Sequence, residues 1–267
     1  MKRFLIAVAV LLCAAATGSA QDIPLSKILV EGEGWKVAAK DLRGVVFLSG
    51  WPNGRVFVGT QQTNHLITTE GKVTPDAPGV EGPVDPLETP LSVERGLYYQ
   101  LKQSEGVLEL RRKTFGTTGI QSVTLQTTRL DRLAKPSCIT VWPDGSQLVI
   151  GEAGGKYLWT VRIDKEGKLG GVDRYYSLRV KPGEKTSGIK AMVMDAGNLL
   201  YAATPLGVQV FDPTGRLSGV ILPPAKEEMT AITIGGEKGD TLFVATGDKV
   251  YSRKIQGKAV YTLKKDK

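Results

Sequence analysis

The chain has 267 residues, of which 35 are Lys or Arg and 27 are Asp or Glu, so its formal net charge is +8. Hydrophobic residues make up 41% and charged residues 23%, proportions that exclude wholesale disorder and indicate a chain with a hydrophobic core. The single histidine, His65, leaves little room for Ser-His, Cys-His or multi-histidine metal chemistry, because each needs an imidazole as base or ligand.

Residues 1–20 have the pattern of an export signal. Two basic residues precede an apolar run from Phe4 to Ala16, and small residues follow it. The run is shorter than the ~20 residues that span a bilayer, and no later stretch approaches that length. We therefore expect cleavage before Gln21, export to the periplasm or the medium, no membrane span, and one domain over residues 21–267.

A short apolar strand with an aromatic residue or Val at its centre recurs along the rest of the chain, about 40 to 50 residues apart. The copies are Val56–Val58, Leu97–Tyr99, Leu148–Ile150, Leu200–Ala202 and Leu242–Val244. A Gly followed by a basic residue comes after four of them, at Gly71-Lys72, Gly167-Lys168, Gly215-Arg216 and Gly257-Lys258. Such a period is the signature of a repeat architecture.

Each repeat contains several short alternating segments joined by turns, and no stretch has convincing helical periodicity. This pattern predicts an all-β chain folded as a single β-propeller, with a β-sandwich as the alternative. Five blades are visible in the sequence. A sixth would arise if Ile28–Val37 paired with Val260–Leu263, which would close the ring and remove exposed sheet edges.

Several stretches resemble the senescence marker protein/gluconolactonase/luciferin-regenerating enzyme family of propellers. They are Pro136–Gly145, Leu206–Gly215, Gly235–Thr246 and the lead-in Gly32–Trp35. The resemblance covers residues 32–75 and 134–255, whereas residues 76–133 are unmatched. It identifies the chain as a divergent exported bacterial member.

The resemblance implies a six-bladed propeller with a divalent cation, calcium or zinc, at the top of the central channel. In that family a Glu, an Asp and one or more Asn bind the ion, each at the start of an innermost strand, and the ion assists hydrolysis of a sugar lactone. The matching positions here carry Arg43 for the Glu, Ser137 for the Asn and Lys190 for the catalytic Asp. We therefore expect no metal cofactor, with Glu81 as the one candidate that could rescue a calcium or zinc site.

The basic residues at these positions have two interpretations. Arg43 and Lys190 could form a positive funnel that captures an anion such as a sugar acid or phosphate, with Ser137 and Glu152 also contacting the ligand. Alternatively, the two cations could form ion pairs with Glu152 or Asp195. For Glu152 itself, a structural hydrogen-bonding role is favoured over ligand contact.

The sequence thus predicts a degenerate member of the family that binds a small anionic ligand or a protein partner through its axial pocket. We expect a monomer that does not bind nucleic acid. The alternative is a metal-dependent lactonase or esterase, and a purely structural interaction module is a third possibility. Cys138 is predicted to be a small buried residue rather than a reactive thiol, because a reactive thiol needs a nearby cation.

Overall fold

The structure, a computed structural model, describes residues 23–51, 53–75, 88–90, 97–104, 107–116, 119–122, 133, 135–166 and 168–260. Besides one short 3-10 helix, Leu25–Lys27, these residues form antiparallel strands. In chain order the strands are β1 (Lys36–Ala39), β2 (Val45–Gly50), β3 (Val56–Thr60), β4 (Asn64–Ile67), β5 (Val73–Pro75), β6 (Glu88–Pro90), β7 (Leu97–Ser104), β8 (Val107–Gly116), β9 (Gly119–Ser122), β10 (Pro136–Val141), β11 (Gln147–Glu152), β12 (Tyr157–Ile163), β13 (Leu169–Ser177), β14 (Ala191–Met194), β15 (Leu200–Thr204), β16 (Gly207–Phe211), β17 (Leu217–Ile221), β18 (Met229–Gly235), β19 (Thr241–Thr246) and β20 (Lys249–Lys254).

The strands form five four-stranded sheets, which are the blades of a β-propeller. Blades 1 to 4 are β2–β5, β6–β9, β10–β13 and β14–β17, and blade 5 consists of β18–β20 with β1 at its outer edge. Neighbouring blades contact one another mainly through their first strands, so β2, β6, β10, β14 and β18 are innermost. We call the end of the channel at which these strands start the upper end, and the opposite one the lower end.

The predicted repeat corresponds to one structural position. All five copies lie in the second strand of a blade, in β3, β7, β11, β15 and β19. Every residue of β3, β15 and β19 is buried, because these strands are covered on both faces. The prediction of an all-β propeller is confirmed.

The ring closes through the two ends of the described chain. β1 pairs with β20, with Lys36 opposite Ser252 and Val37 opposite Tyr251, and an isolated bridge joins Leu29 to Ile255. This pairing differs from the predicted one, because it completes the fifth sheet rather than a sixth. Within the ranges given above there is no sixth sheet. Most of the segment predicted as the partner, Val260–Leu263, lies outside them.

The core consists of apolar clusters packed between adjacent blades. One cluster joins Tyr201 and Val210 of blade 4 to Ile232 and Val244 of blade 5, and Ile28 packs into it. A second joins blade 3 to blade 4, and a third joins blade 5 to blade 1. No helix in the described part of the chain has the length and apolar character required to cross a bilayer. The predicted export signal lies outside that part.

Candidate functional site

Three of the sequence-predicted site residues lie at the upper end, at the starts of innermost strands. Arg43 is in the turn two residues before β2, Ser137 is the second residue of β10, and Lys190 immediately precedes β14. Arg43 and Lys190 are exposed, whereas Ser137 is half-buried. The fold therefore brings to one end of the channel residues that are far apart in sequence. Glu81 lies outside the described residues.

Lys190 pairs with a carboxylate that the sequence interpretation did not identify. Its Nζ lies 3.3 Å from Oε1 of Glu228, which immediately precedes β18, the innermost strand of the next blade. Both side chains are about half exposed, at 44% and 52%. The predicted partners were Glu152 and Asp195. Asp195 follows β14 and so lies at the lower end of the same blade, out of reach of Lys190.

Ser137 holds the residue before Lys190. Its Oγ donates a hydrogen bond to the carbonyl oxygen of Ile189 at 2.7 Å, and the side chain of Ile189 is fully buried. The backbone N–H of Lys190 donates to the carbonyl of Ala203 at 3.2 Å. The backbone of Lys190 is thus fixed, while its exposed side chain extends to Glu228.

The loop that leads from blade 3 to Lys190, residues 178–190, is fixed to both blades. Gln209 is fully buried, and its side-chain amide donates to the carbonyl of Arg179 and accepts from the N–H of the same residue, at 2.9 and 2.8 Å. The hydroxyl of Ser187 donates to the carbonyl of Glu152 at 2.9 Å. Both residues are buried, so water cannot compete for these bonds.

Glu152, the last residue of β11, has a buried side chain. Its Oε2 accepts a hydrogen bond from the indole Nε1 of Trp159 at 3.1 Å, and only 4% of the residue is exposed. The guanidinium of Arg174 stacks over the same indole, 4.9 Å from the ring centroid. This geometry gives Glu152 the structural role that the sequence favoured, whereas its predicted contact with a ligand stays a prediction.

The upper end carries an asymmetric charge distribution. Over blades 3 and 4, six exposed basic residues form what we call the basic rim: Lys135, Lys156, Arg179, Lys181, Lys185 and Lys190. Glu184 is the one exposed acidic residue among the described residues of this region. Over blades 5 and 1 the charges balance, with Lys40, Arg43, Lys226 and Lys249 against Asp41, Glu227, Glu228 and Asp248. The positive potential is therefore concentrated on the side of the channel that carries Lys190.

The described residues at the upper end do not fit a divalent cation. Calcium prefers six to eight oxygen ligands and zinc takes nitrogen, sulfur or carboxylate ligands, but Arg43 and Lys190 contribute cations. The hydroxyl of Ser137 offers one neutral oxygen, and the carboxylate of Glu228 is paired with an ammonium. The parts of the chain that the structure describes contain no group of three His, Cys, Asp or Glu arranged to hold a metal ion.

Comparison with known proteins identifies one family. Residues 116–248 match the model of the SMP-30/Gluconolactonase/LRE-like region. No protein of curated function matches the chain.

Similar solved structures share the fold over nearly the whole chain. A structural-genomics protein assigned as a gluconolactonase has a TM-score of 0.68 and 14% identity, covering 88% of this chain and 96% of its own. A gluconolactonase from Xanthomonas campestris has a TM-score of 0.58 and 13% identity, with coverages of 86% and 92%. Regucalcin, a calcium-binding protein from Agrobacterium tumefaciens, has a TM-score of 0.61 and 15% identity, with coverages of 86% and 96%. Identities this low establish a common fold and nothing about ligands.

Proposed function

Because the chain belongs to the SMP-30/gluconolactonase/LRE-like family of propellers, we propose that it binds a small anionic ligand at the upper end of its channel, with Lys190 as the principal charged contact. The observation that carries the proposal is the exposed ammonium of Lys190 at the start of an innermost strand. The resemblance implies that this position matches the catalytic, metal-binding Asp of the family. Exchanging that carboxylate for an ammonium reverses the charge of the ion that the site attracts.

The basic rim supports an anionic ligand. Cationic groups gathered on one side of a cleft raise the local concentration of anions and guide them inward. Salt screens this attraction over a Debye length of ~10 Å at 0.1 M ionic strength, so the effect is strongest at low salt. An acidic protein partner would meet the same rim. Cleavage of the predicted export signal would place this site in the periplasm or outside the cell.

The pair between Lys190 and Glu228 provides a mechanism for exchange. A solvent-exposed ion pair contributes only about 0 to 1 kcal/mol, so an incoming carboxylate or phosphate can replace the Glu228 carboxylate at small cost. Lys190 then donates to the ligand anion while Glu228 returns to water. The backbone does not need to move in this exchange, because Ser137 and Ala203 both hydrogen-bond the peptide group between Ile189 and Lys190.

The proposal is tested by calorimetric titration of D-gluconate and inorganic phosphate at low salt. We expect Lys190→Ala to weaken binding about tenfold or more, because a hydrogen bond to a charged group is worth roughly 1.5 to 3 kcal/mol. Glu228→Gln should strengthen binding, since it removes the competing carboxylate. Lys249→Ala is the matched control, because Lys249 also lies at the upper end and pairs with an acid, Asp248. Equal losses in both lysine variants would reject the assignment to Lys190.

A metal-dependent lactonase or esterase is the second candidate, favoured by the family match and by Glu228, a carboxylate at the start of an innermost strand. It predicts stoichiometric binding of calcium or zinc, a melting temperature that falls with EDTA, and hydrolysis of gluconolactone. The anion-binding proposal predicts a melting temperature that does not respond to EDTA. Measuring metal content, chelator-dependent melting and lactone hydrolysis on one preparation separates the two candidates.

A further inference from the structure

A groove of about 540 Å³ lies at the lower end of blade 3, away from Lys190. It is formed where β11 starts, β12 ends and β13 starts. Its lining includes Gln147, Arg162, Asp164, Lys168, Gly170 and Gly171. The volume falls within the roughly 300 to 1,000 Å³ typical of small-molecule sites.

Two glycines keep the groove open. The register of β12 and β13 shifts between Val161 and Arg162, and Gly171 adopts a φ of +61°, which other residues rarely adopt. A Cβ built on Gly170 would meet nothing within 4 Å. A Cβ on Gly171 would lie 3.6 Å from Cδ of Arg162. The side chain of Arg162 therefore extends along the space that the glycines leave.

The groove presents two cations and one carboxylate. Arg162 and Lys168 are exposed, and no carboxylate of the described residues lies within ion-pair distance of either. Asp164 uses Oδ1 to accept the backbone N–H of Lys168 at 2.6 Å, which fixes the turn between β12 and β13. An ionised carboxylate has about four acceptor positions, so Asp164 can accept further hydrogen bonds. The side chain of Gln147, which lies across from Arg162 in the β11–β12 pairing, adds an amide.

We propose that this groove binds a small carboxylate that also carries hydroxyl groups. The planar guanidinium of Arg162 and the ammonium of Lys168 bind the carboxylate, since Arg forms paired hydrogen bonds with both of its oxygens. The hydroxyl groups of the ligand donate to Asp164 and exchange hydrogen bonds with Gln147. The inference does not rest on the proposed function, because the groove and Lys190 lie at opposite ends of the channel.

The test is an NMR titration of ¹⁵N-labelled protein with D-galacturonate, using D-galactose as the matched ligand without the carboxylate. We expect galacturonate to shift the amide signals of Gly170 and Gly171 saturably, and galactose to bind at least about tenfold more weakly. Arg162→Gln and Lys168→Gln should each weaken galacturonate binding severalfold. Lys165→Gln makes the same charge change as Lys168→Gln in the same turn but outside the lining, so it should have no effect.

A second variant fills the groove without changing its charge. Gly170→Leu places a side chain in open space at an ordinary φ, so the sheet should form and galacturonate should no longer bind. The inference fails if galacturonate leaves the Gly170 and Gly171 signals unchanged, or if Arg162→Gln and Gly170→Leu bind it as wild type does. Loss of binding in Lys190→Ala alone would place the carboxylate at the upper end and would also reject the groove.

Discussion

Cys138 illustrates how burial decides the chemistry of a single side chain. The residue lies in β10 and is 3% exposed, and desolvation raises the pKa of its thiol to about 12. The thiolate is the reactive form, so at pH 8 only a very small fraction of Cys138 could react. We expect Ellman's reagent to leave Cys138 unmodified in the folded protein and to modify it fully in urea.

Cys13 is the other cysteine of the chain, so the assay uses a Cys13→Ser background in which Cys138 is the sole thiol. Modification of the folded protein at the rate of free cysteine would contradict the buried position. It would also indicate that a nearby cation lowers the pKa of the thiol, as a reactive cysteine requires.

At the upper end, the sequence predicted where the site residues lie better than it predicted which residue pairs with Lys190. The positions of Arg43, Ser137 and Lys190 followed from the resemblance to the family, whose ligands stand at the starts of innermost strands. Glu228 was missed because it precedes the innermost strand of the next blade, and only the packing of blade 5 on blade 4 brings β18 beside β14. Of the two predicted partners, Glu152 is buried against Trp159, and Asp195 follows β14 at the lower end.

The innermost strands of blades 1 and 5 approach closely enough to require glycine. A Cβ on Gly50, the last residue of β2, would lie within 2.3 Å of the carbonyl oxygen of Ile234 in β18. The N–H of Gly50 also donates to Oγ1 of Thr233 at 3.1 Å, which fixes the contact. We expect Gly50→Ala to lower the free energy of unfolding by about 1 to 3 kcal/mol, the usual cost of overpacking.

Chemical denaturation measures this cost, with Gly34→Ala as the matched control. Gly34 has an ordinary φ and no atom within 4 Å of a Cβ position, so its substitution should change stability very little. Similar effects of the two substitutions would show that the approach of β2 and β18 is looser than the structure indicates.

The elements that the sequence predicted best are the strands whose burial is complete. β3, β15 and β19 have no exposed residue, so their apolar runs are distinct in the sequence. The outer strands β5, β13 and β17 consist mostly of exposed or half-buried residues, so their composition resembles that of turns. The strand that closes the ring could not be located from the sequence pattern alone. Gly257-Lys258 repeats the Gly-basic mark that precedes the outer strands β5 and β17, so the pattern indicates that another outer strand follows it. In blade 5 the outer position is instead occupied by β1, from the other end of the chain.

On the scale of the whole molecule, a buried carboxyl joins blade 4 to the chain that follows blade 5. Asp195 is 1% exposed and accepts hydrogen bonds from the N–H groups of Gly197 and Leu199 at 2.8 and 2.9 Å and from the hydroxyl of Tyr201 at 3.2 Å. Gly257 packs directly against it, since a Cβ there would meet Oδ2 of Asp195. The backbone of Asp195 also bridges to Ala259. β1 therefore completes the outer edge of blade 5, and this contact attaches the chain after blade 5 to blade 4 at the lower end.

This carboxyl should make the stability of the propeller depend on pH. Burial raises the pKa of Asp195 above its ordinary value of 3.8, and the hydrogen bonds from Leu199, Gly197 and Tyr201 offset part of the shift. A carboxyl with a raised pKa contributes stability that is complete below its unfolded pKa and is lost as the pH rises through its folded pKa. Relative to Asp195→Asn, the wild-type protein should therefore lose stability from about pH 4 upward, by at most ~1.4 kcal/mol per pH unit for one group.

Urea unfolding of both proteins between pH 4 and 8 measures this difference. The difference should level off once the pH exceeds the folded pKa of Asp195. Tyr201→Phe removes a donor to the carboxylate, so it should raise that pKa further and move the plateau to higher pH. A difference that stays constant with pH, or that changes in the opposite direction, would mean that Asp195 is better solvated than its position under Gly257 indicates. The contact would then contribute packing between blade 4 and the chain after blade 5, but no coupling to protons.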